Sequence, residues 1–196
     1  ALPAIRSSSV VLAQLEVPLE TALRAMKLAK DWGRLTVLNP APAKPMPPGA
    51  LACVDVLTPN LRELEALAGV EVRSVEDAER AARKLLEEGA GAVVVTMGKR
   101  GALIVDGAGP RLVPTFDVPV VDTVGAGDAF NGALAVALAM GATLDEAVTF
   151  GNLAASLKVT KRGAQAGLPR LEEVVRFASE RGVELRFLRG QPGAGQ

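Results

Sequence analysis

The stretch GAVVVTMG, residues 91–98, decides the fold class, because an unbroken apolar run follows Gly91 and ends at the polar Thr96. A strand with one face in water alternates apolar and polar residues, whereas a continuous run of branched apolar side chains predicts a strand covered on both faces. Strands of that kind occur in parallel sheets that carry helices on both sides. Residues 91–98 therefore predict a strand of an α/β sheet.

The segments on either side of this strand alternate between strand and helix patterns. Further strands are predicted at residues 8–15, 35–39, 53–60 and 183–187, and a hairpin or meander at residues 101–118. Helices are predicted from residue 18, over 61–68 and 75–88, from about residue 126, and over 144–160 and 169–180. The alternation predicts an α/β protein with a Rossmann-like, mostly parallel sheet flanked by helices. One domain is expected over residues 1–188, followed by a disordered tail at 189–196.

Charge and composition exclude several classes of function. The chain has 22 basic and 22 acidic residues, so nothing indicates a partner such as nucleic acid or an anionic membrane. It has no histidine, which leaves Asp, Glu, Lys or water as a general base. The single cysteine, Cys53, rules out a disulfide within the chain, and no apolar run is long enough to cross a bilayer. A cytoplasmic protein is expected.

The segment VVDTVGAGDAFNG, residues 120–132, combines a glycine-framed helix start with one acid, Asp128. Gly125 and Gly127 allow the backbone to approach a ligand closely, and unpaired N–H groups at a helix start bind anions. A carboxylate beside an anion site suits a base that removes a proton while the N–H groups hold the transferred negative group. The alternative is that Asp128 only complements the helix dipole.

Three other segments at predicted strand ends carry polar residues. TPNLRE places Asn60 and Glu63 three apart, where they suit phosphate and Mg²⁺ or, alternatively, a helix cap. TMGKRG, residues 96–101, suits either a turn around phosphate groups or a hairpin with solvated charges. Glu16 follows the first strand and suits either sugar hydroxyls or a plain surface position. The carboxyl ends of parallel strands form one rim, so these segments are expected to converge there.

At these motifs the chain resembles the PfkB-type carbohydrate kinases, and among them the ribokinase-type members. DTVGAGDAFNGAL, residues 122–134, is similar to the family's C-terminal signature. TPNLRE is similar to its Asn-x-x-Glu motif, and TMGKRG to its nucleotide-phosphate loop. LNPAPA (38–43) and TKRGAQ (160–165) are similar to segments typical of ribokinase-type members. The similarity runs in order across residues 10–180 and implies a ribokinase-like fold.

The resemblance implies a role for each of these segments. Asp128 would be the base that activates the primary hydroxyl of a sugar, and Glu16 would bind that sugar. The migrating γ-phosphoryl group of ATP would meet the backbone N–H groups of Gly125, Ala126 and Gly127. Glu63 would organise Mg²⁺ through water. The residues implied to bind the nucleotide are Asn60, Thr96, Met97, Gly98, Lys99, Arg100, Gly101, Gly127 and Asn152.

The resemblance also implies an activating K⁺ close to the anion site. Several of its ligand positions would act through backbone carbonyls. The matching positions are Asp122, Val124, Lys158, Lys161, Gly163 and Gly167. Gly167 departs from the family's pattern, which usually has serine there.

The activity implied is ATP-dependent, in-line phosphorylation of D-ribose to D-ribose 5-phosphate. Fructose, 2-keto-3-deoxygluconate or a nucleoside are alternative acceptors, and a non-catalytic nucleotide-binding fragment is another alternative. Family members carry, ahead of the part matched here, a Gly-Gly motif with an Asp and an Asn that hold the sugar, and a β-lid that closes the site and forms a homodimer. The chain is therefore expected to lack the N-terminal part and the β-lid, and to be the nucleotide-binding and catalytic part.

Overall fold

The computed structural model describes residues 1–188, which form two compact units. The first unit comprises residues 1–98 and 102–113, and the second comprises residues 99–101 and the chain from Pro114 onward. The sequence predicts one domain over residues 1–188. Within them, the first unit is a sheet with its helices, and the second consists mainly of helices. The predicted tail, 189–196, lies outside the described residues.

The strands of the first unit form one sheet in the order β1 to β6. They are β1 Val10–Gln14, β2 Leu35–Asn39, β3 Val56–Leu57, β4 Ala92–Thr96, β5 Ala102–Asp106 and β6 Gly109–Val113. Strands β1 to β4 pair in parallel, and β4, β5 and β6 pair antiparallel. Val93, Val94 and Val95 are completely buried, as the unbroken apolar run predicts. The α/β class and the hairpin are confirmed.

Four helices accompany this sheet. They are α1 Leu2–Ser7, α2 Leu19–Asp31, α3 Leu61–Ala68 and α4 Val75–Glu87. Ser74 and Asp77 form a capping box at the start of α4, because the Ser74 side chain accepts from Asp77 N–H while the Asp77 carboxylate accepts from the Ser74 backbone. The buried face of α4 is mostly alanine, which lets the helix backbone approach the core closely.

The second unit contains α5 Ala126–Ala139, α6 Leu144–Val159 and α7 Leu171–Glu180. Gly151 of α6 packs against the Phe130 ring of α5, where an added Cβ would lie 2.8 Å from a ring carbon. Glycine is thus required at this helix crossing. Phe116 meets Phe177 of α7 edge to face, with ring centroids 5.8 Å apart. Thr143 and Glu146 form a capping box at the start of α6.

Two predictions of local structure were wrong, and one helix was missed. Strand β3 is only Val56–Leu57, because residues 50–53 form a 3-10 turn and Asn60 already begins α3. The last predicted strand, 183–187, ends instead in the 3-10 turn Arg186–Leu188, where Phe187 packs edge to face on Phe150. Helix α1 was not predicted. Within the described residues, no helix is both long and apolar enough to cross a bilayer.

Candidate active site

The carboxyl ends of the parallel strands carry a row of polar side chains in the first unit. Gln14 of β1 donates from Nε2 to Asn39 Oδ1 at 3.0 Å, and Asn39 of β2 donates from Nδ2 to the Thr58 carbonyl at 2.9 Å. Thr96 ends β4 and bridges in parallel to Asn60. Within this unit, the strand ends therefore carry polar residues, as the sequence predicts. The exposed Glu16 lies in the turn after β1, at the same edge.

Asn60 and Glu63 form a capping box at the start of α3. Asn60 Oδ1 accepts from Glu63 N–H at 3.0 Å, and the Glu63 carboxylate accepts from both the backbone N–H of Asn60 at 2.9 Å and its Nδ2 at 2.7 Å. The capping interpretation of this pair is therefore confirmed, and its roles toward phosphate and Mg²⁺ stay predictions. A carboxylate has about four lone-pair sites, so Glu63 keeps acceptor capacity for water or a hydrated cation.

Burial raises the pKa of Glu63 above its ordinary value, and the hydrogen bonds from the Asn60 backbone and side chain act in the opposite direction. A half-buried carboxylate that stays ionised favours a nearby cation. Within residues 1–188, no cluster of three or more His, Cys, Asp or Glu side chains could hold a metal ion. The arrangement suits Mg²⁺, which keeps much of its water shell and takes few protein ligands.

The segment predicted to line the nucleotide phosphates is a turn between β4 and β5. Gly98–Arg100 form one 3-10 turn, and Gly98 and Gly101 have φ of 58° and 86°, values that only glycine adopts without strain. Lys99 and Arg100 are exposed, so their cations face solvent. Met97 is only 6 % exposed and packs in the core of the first unit. A nucleotide contact by the Met97 side chain does not fit this structure.

Two further residues at this edge were not predicted as site residues. Asn39 is buried, and its amide is fixed by the bonds to Gln14 and Thr58. Lys44, in the proline-rich segment, donates from Nζ to the carbonyls of Leu15 and Val17. It thereby fixes the turn that carries Glu16. A polar residue ending an apolar strand was the available signal for Asn39, whereas a long-range lysine contact leaves no signal in sequence.

The glycine-framed start of α5 forms as predicted in the second unit. Gly125 is the N-cap residue, with φ 80°, and the helix begins with the bond from Ala129 N–H to the Gly125 carbonyl at 2.9 Å. The first amides of a helix have no acceptor within it, so the Gly127 N–H points out of the helix start. The Ala126 N–H differs, because it donates to the Thr123 carbonyl at 3.2 Å. The predicted role of Ala126 as an anion donor therefore does not fit.

Asp128 lies in the first turn of α5 and is exposed. It is at one end of an apolar groove of about 290 Å³ between α5, α6 and the start of α7. Gly132 and Val136 continue the groove along α5, and Leu168 and Val174 form the opposite side. The Asp128 side chain is thus exposed in the same helix turn as the Gly127 N–H. This arrangement allows a proton acceptor to meet a bound hydroxyl group.

The loop before α5 is held by Asp122. Its Oδ1 accepts from Val124 N–H at 3.0 Å and its Oδ2 from Gly163 N–H at 2.8 Å. These backbone hydrogen bonds, with a smaller contribution from the Lys158 charge, hold the pKa of Asp122 below its ordinary value. Gly125 is also close to this second loop, since an added Cβ would lie 3.2 Å from the Ala164 carbonyl oxygen. The loop at 161–167 therefore sets the position of the helix start.

Lys158 and Asn152 of α6 differ from their predicted roles. The Lys158 side chain is completely buried, and its Nζ donates to the carbonyls of Asp122 at 3.0 Å and Lys161 at 3.2 Å. Asp122, Lys158 and Lys161 were all predicted to hold K⁺, and an ammonium group already contacts two of them. Asn152, predicted near the adenine, is 5 % exposed and donates to the Pro114 carbonyl at 3.1 Å. Its amide faces protein.

Comparison with known proteins agrees with this architecture. A family model described as pfkB family carbohydrate kinase matches residues 4–171. Ribokinase from Haemophilus influenzae is 39% identical over 173 residues, which are 88% of this chain and 56% of the relative. The chain therefore spans little more than half the length of this curated relative.

Solved structures give the same result. Ribokinase from Thermotoga maritima is 40% identical, with a TM-score of 0.83 over 91% of this chain and 59% of that one. Arabidopsis thaliana ribokinase, solved in complex with ribose and ATP, is 31% identical, with a TM-score of 0.86 over 90% of this chain and 57% of that one. The ribokinase-like fold is confirmed.

The fold and the helix start with its acid define the carbohydrate-kinase class of α/β proteins. The family match covers most of the chain, and the chain belongs to the pfkB family of carbohydrate kinases.

Proposed function

We propose that the protein containing this chain transfers the γ-phosphoryl group of ATP to the primary hydroxyl of D-ribose, giving D-ribose 5-phosphate and ADP. The observation that carries this proposal is the exposed Asp128 in the first turn of α5, directly after the left-handed Gly125. The family match and the ribokinase relatives support the reaction class and the acceptor. A homodimer in the cytoplasm is proposed for the full-length protein.

Asp128 is proposed to take the proton of the attacking hydroxyl. The hydroxyl oxygen then bonds to the γ-phosphorus as the bond between that phosphorus and the bridging oxygen of ADP breaks. ADP carries away the displaced negative charge. The Gly127 N–H and the α5 dipole would stabilise the charge on the phosphoryl oxygens. Phosphoryl transfer leaves little covalent chemistry to the protein, so positioning and charge stabilisation supply most of the acceleration.

The nucleotide is proposed to bind the segments that follow β3 and β4. Thr96 and the glycines at 98 and 101 would contact phosphate and ribose, with Lys99 and Arg100 supplying positive charge. Asn60 would contact ATP, and Glu63 would accept hydrogen bonds from the water shell of Mg²⁺. Mg²⁺, when bound, neutralises phosphate charge. Glu16 is proposed to accept hydrogen bonds from sugar hydroxyls.

The proposal is tested by measuring ADP release with ATP and each of five acceptors: D-ribose, 2-deoxy-D-ribose, D-fructose, 2-keto-3-deoxygluconate and a nucleoside. This chain and the full-length protein are assayed side by side. The full-length protein should show its highest kcat/KM with D-ribose, and this chain alone should show far less. A higher kcat/KM with another acceptor would overturn the assignment to ribose. ATP binding without turnover of any acceptor would favour the non-catalytic alternative.

A further inference from the structure

Lys158 is an unusual residue because its entire side chain is buried in the second unit. It lies on α6 and is 0% exposed, although lysine is among the residues least often buried. An ammonium group removed from water is unfavourable unless its charge and its donors are matched by the protein. The residue is therefore held in place by specific interactions, and these point to its task.

The ammonium contacts oxygens from two separate segments. One is the Asp122 carbonyl, ahead of α5, at 3.0 Å, and the other is the Lys161 carbonyl, after α6, at 3.2 Å. The Asp122 carboxylate joins the same segments from a second direction, through Val124 N–H and Gly163 N–H. A positive charge among carbonyl oxygens with a carboxylate nearby is the environment of a bound cation.

Gly167 makes room for the lysine. An added Cβ at this position would lie 3.2 Å from Lys158 Cδ and 2.6 Å from the Gly163 carbonyl oxygen. A serine there would collide with the loop backbone and crowd the Lys158 stem. The glycine and the buried lysine are thus compatible with each other, whereas a K⁺ ion that used the same carbonyls would have to displace the ammonium group.

We propose that the ε-ammonium of Lys158 is a built-in monovalent cation that replaces K⁺ and holds the start of α5 in its active geometry. The catalytic part of this inference rests on the proposed kinase function. Lys158 is a positioning residue, since it acts through Asp122 and the 161–167 loop. Gly125 is close enough to Ala164 for a shift of this loop to move the amides at the helix start.

The first test uses the unaltered full-length protein. Its kinase rate should be equal in KCl, NaCl and choline chloride at constant ionic strength, and K⁺ should not raise its melting temperature above that in choline. Activation of several fold by K⁺, or a K⁺-specific rise in melting temperature, would overturn the proposal. The melting experiment needs no turnover, so it decides the cation question even if the proposed kinase function fails.

Two variants provide matched controls. Lys158→Ala removes the ammonium and leaves space, so kcat in choline should fall at least tenfold, with a smaller change in the KM for ATP, and K⁺ should restore both kcat and melting temperature. Lys158→Met fills the space without charge, so its kcat should fall without recovery in K⁺. Equal activity of Lys158→Ala and the unaltered protein in choline would contradict the inference. The inference would also be contradicted if both variants remained folded and K⁺ restored neither of them. If neither variant folds, the salt comparison on the unaltered protein decides the question.

Discussion

The Asp122 carboxylate accepts from the backbone N–H of Gly163 at 2.8 Å and so joins two loops that lie 41 residues apart in sequence. Its second oxygen accepts from Val124 N–H at 3.0 Å. One side chain therefore fixes the approach to α5 against the loop that follows α6. The Asp122 side chain is the acceptor in both hydrogen bonds, and an ionised carboxylate is a stronger acceptor than a neutral group.

Asp122→Asn should destabilise the protein at neutral pH and have little effect in acid. The pKa of Asp122 is lowered from 3.8 in the folded state, chiefly by the hydrogen bonds from Val124 and Gly163. Its stabilising contribution is complete above that value and is lost as the pH falls through the lower folded-state pKa. Melting temperatures measured from pH 7 to pH 2 should therefore converge for the variant and the unaltered protein as acidity increases.

Asp117→Asn is the control for this pH series, because it removes a charge at an exposed position of the same unit. It should leave the difference in melting temperature small at every pH. A constant offset for Asp122→Asn across the whole range would show that the charge of Asp122 does not matter.

Gly125→Ala should destabilise the protein and lower kcat. Gly125 has φ 80°, and a left-handed conformation costs a residue with a Cβ about 1–2 kcal/mol. The new Cβ would also lie 3.2 Å from the Ala164 carbonyl oxygen and push the two loops apart. Urea unfolding and steady-state kinetics measure the two effects.

Gly132→Ala is the control for Gly125→Ala. It tests whether the loss of any glycine destabilises the protein, or only the loss of the glycine whose conformation at position 125 is left-handed. Gly132 lies inside α5, and an added Cβ there meets nothing within 4 Å. Alanine in a helix interior should stabilise by about 0.5–1 kcal/mol. Destabilisation of similar size by both substitutions would mean that the left-handed turn is not the cause.

The parallel sheet was predictable because a strand buried on both faces needs a continuous run of apolar residues. Val93, Val94 and Val95 need apolar neighbours on either side, and only a sheet covered by helices provides them. The prediction of a strand at 183–187 was wrong for a different reason, since alternation over so few residues does not distinguish a strand from a turn. Phe187 in this segment is fixed by its contact with Phe150, and the local sequence gives no sign of such a long-range contact.

The helix start with Asp128 was predictable because glycine spacing and an acid in the first turn are local features. The cation site was not, because the position of the Lys158 ammonium depends on the path of two distant loops. The sequence did contain a hint: a lysine on a helix whose neighbouring residues are mostly apolar and buried. The glycine at position 167, where the family usually has serine, is explained by the Lys158 side chain that packs against it.

Asn60→Ser should separate the capping role of Asn60 from its proposed role toward ATP. Serine also caps helices well, so stability should change by less than about 0.5 kcal/mol. It lacks the Nδ2 group, so we expect a several-fold higher KM for ATP with the sugar KM unchanged. Thr143→Ser, in the capping box at the start of α6, should alter neither quantity. An unchanged KM for ATP in Asn60→Ser would reduce Asn60 to a helix cap.

Asp128→Asn should lower kcat at least about 100-fold and leave the affinity for ATP nearly intact, because a general base typically contributes 10²–10⁴-fold. Single-turnover rates and nucleotide binding to the full-length protein provide the measurement. Asp145→Asn is the matched control, since Asp145 is also an exposed acid in the first turn of a helix. If the helix dipole were the only partner of Asp128, both substitutions would cost about 0.3–1 kcal/mol of stability and spare kcat. Near-normal turnover by a folded Asp128→Asn protein would therefore remove the base from the proposed reaction.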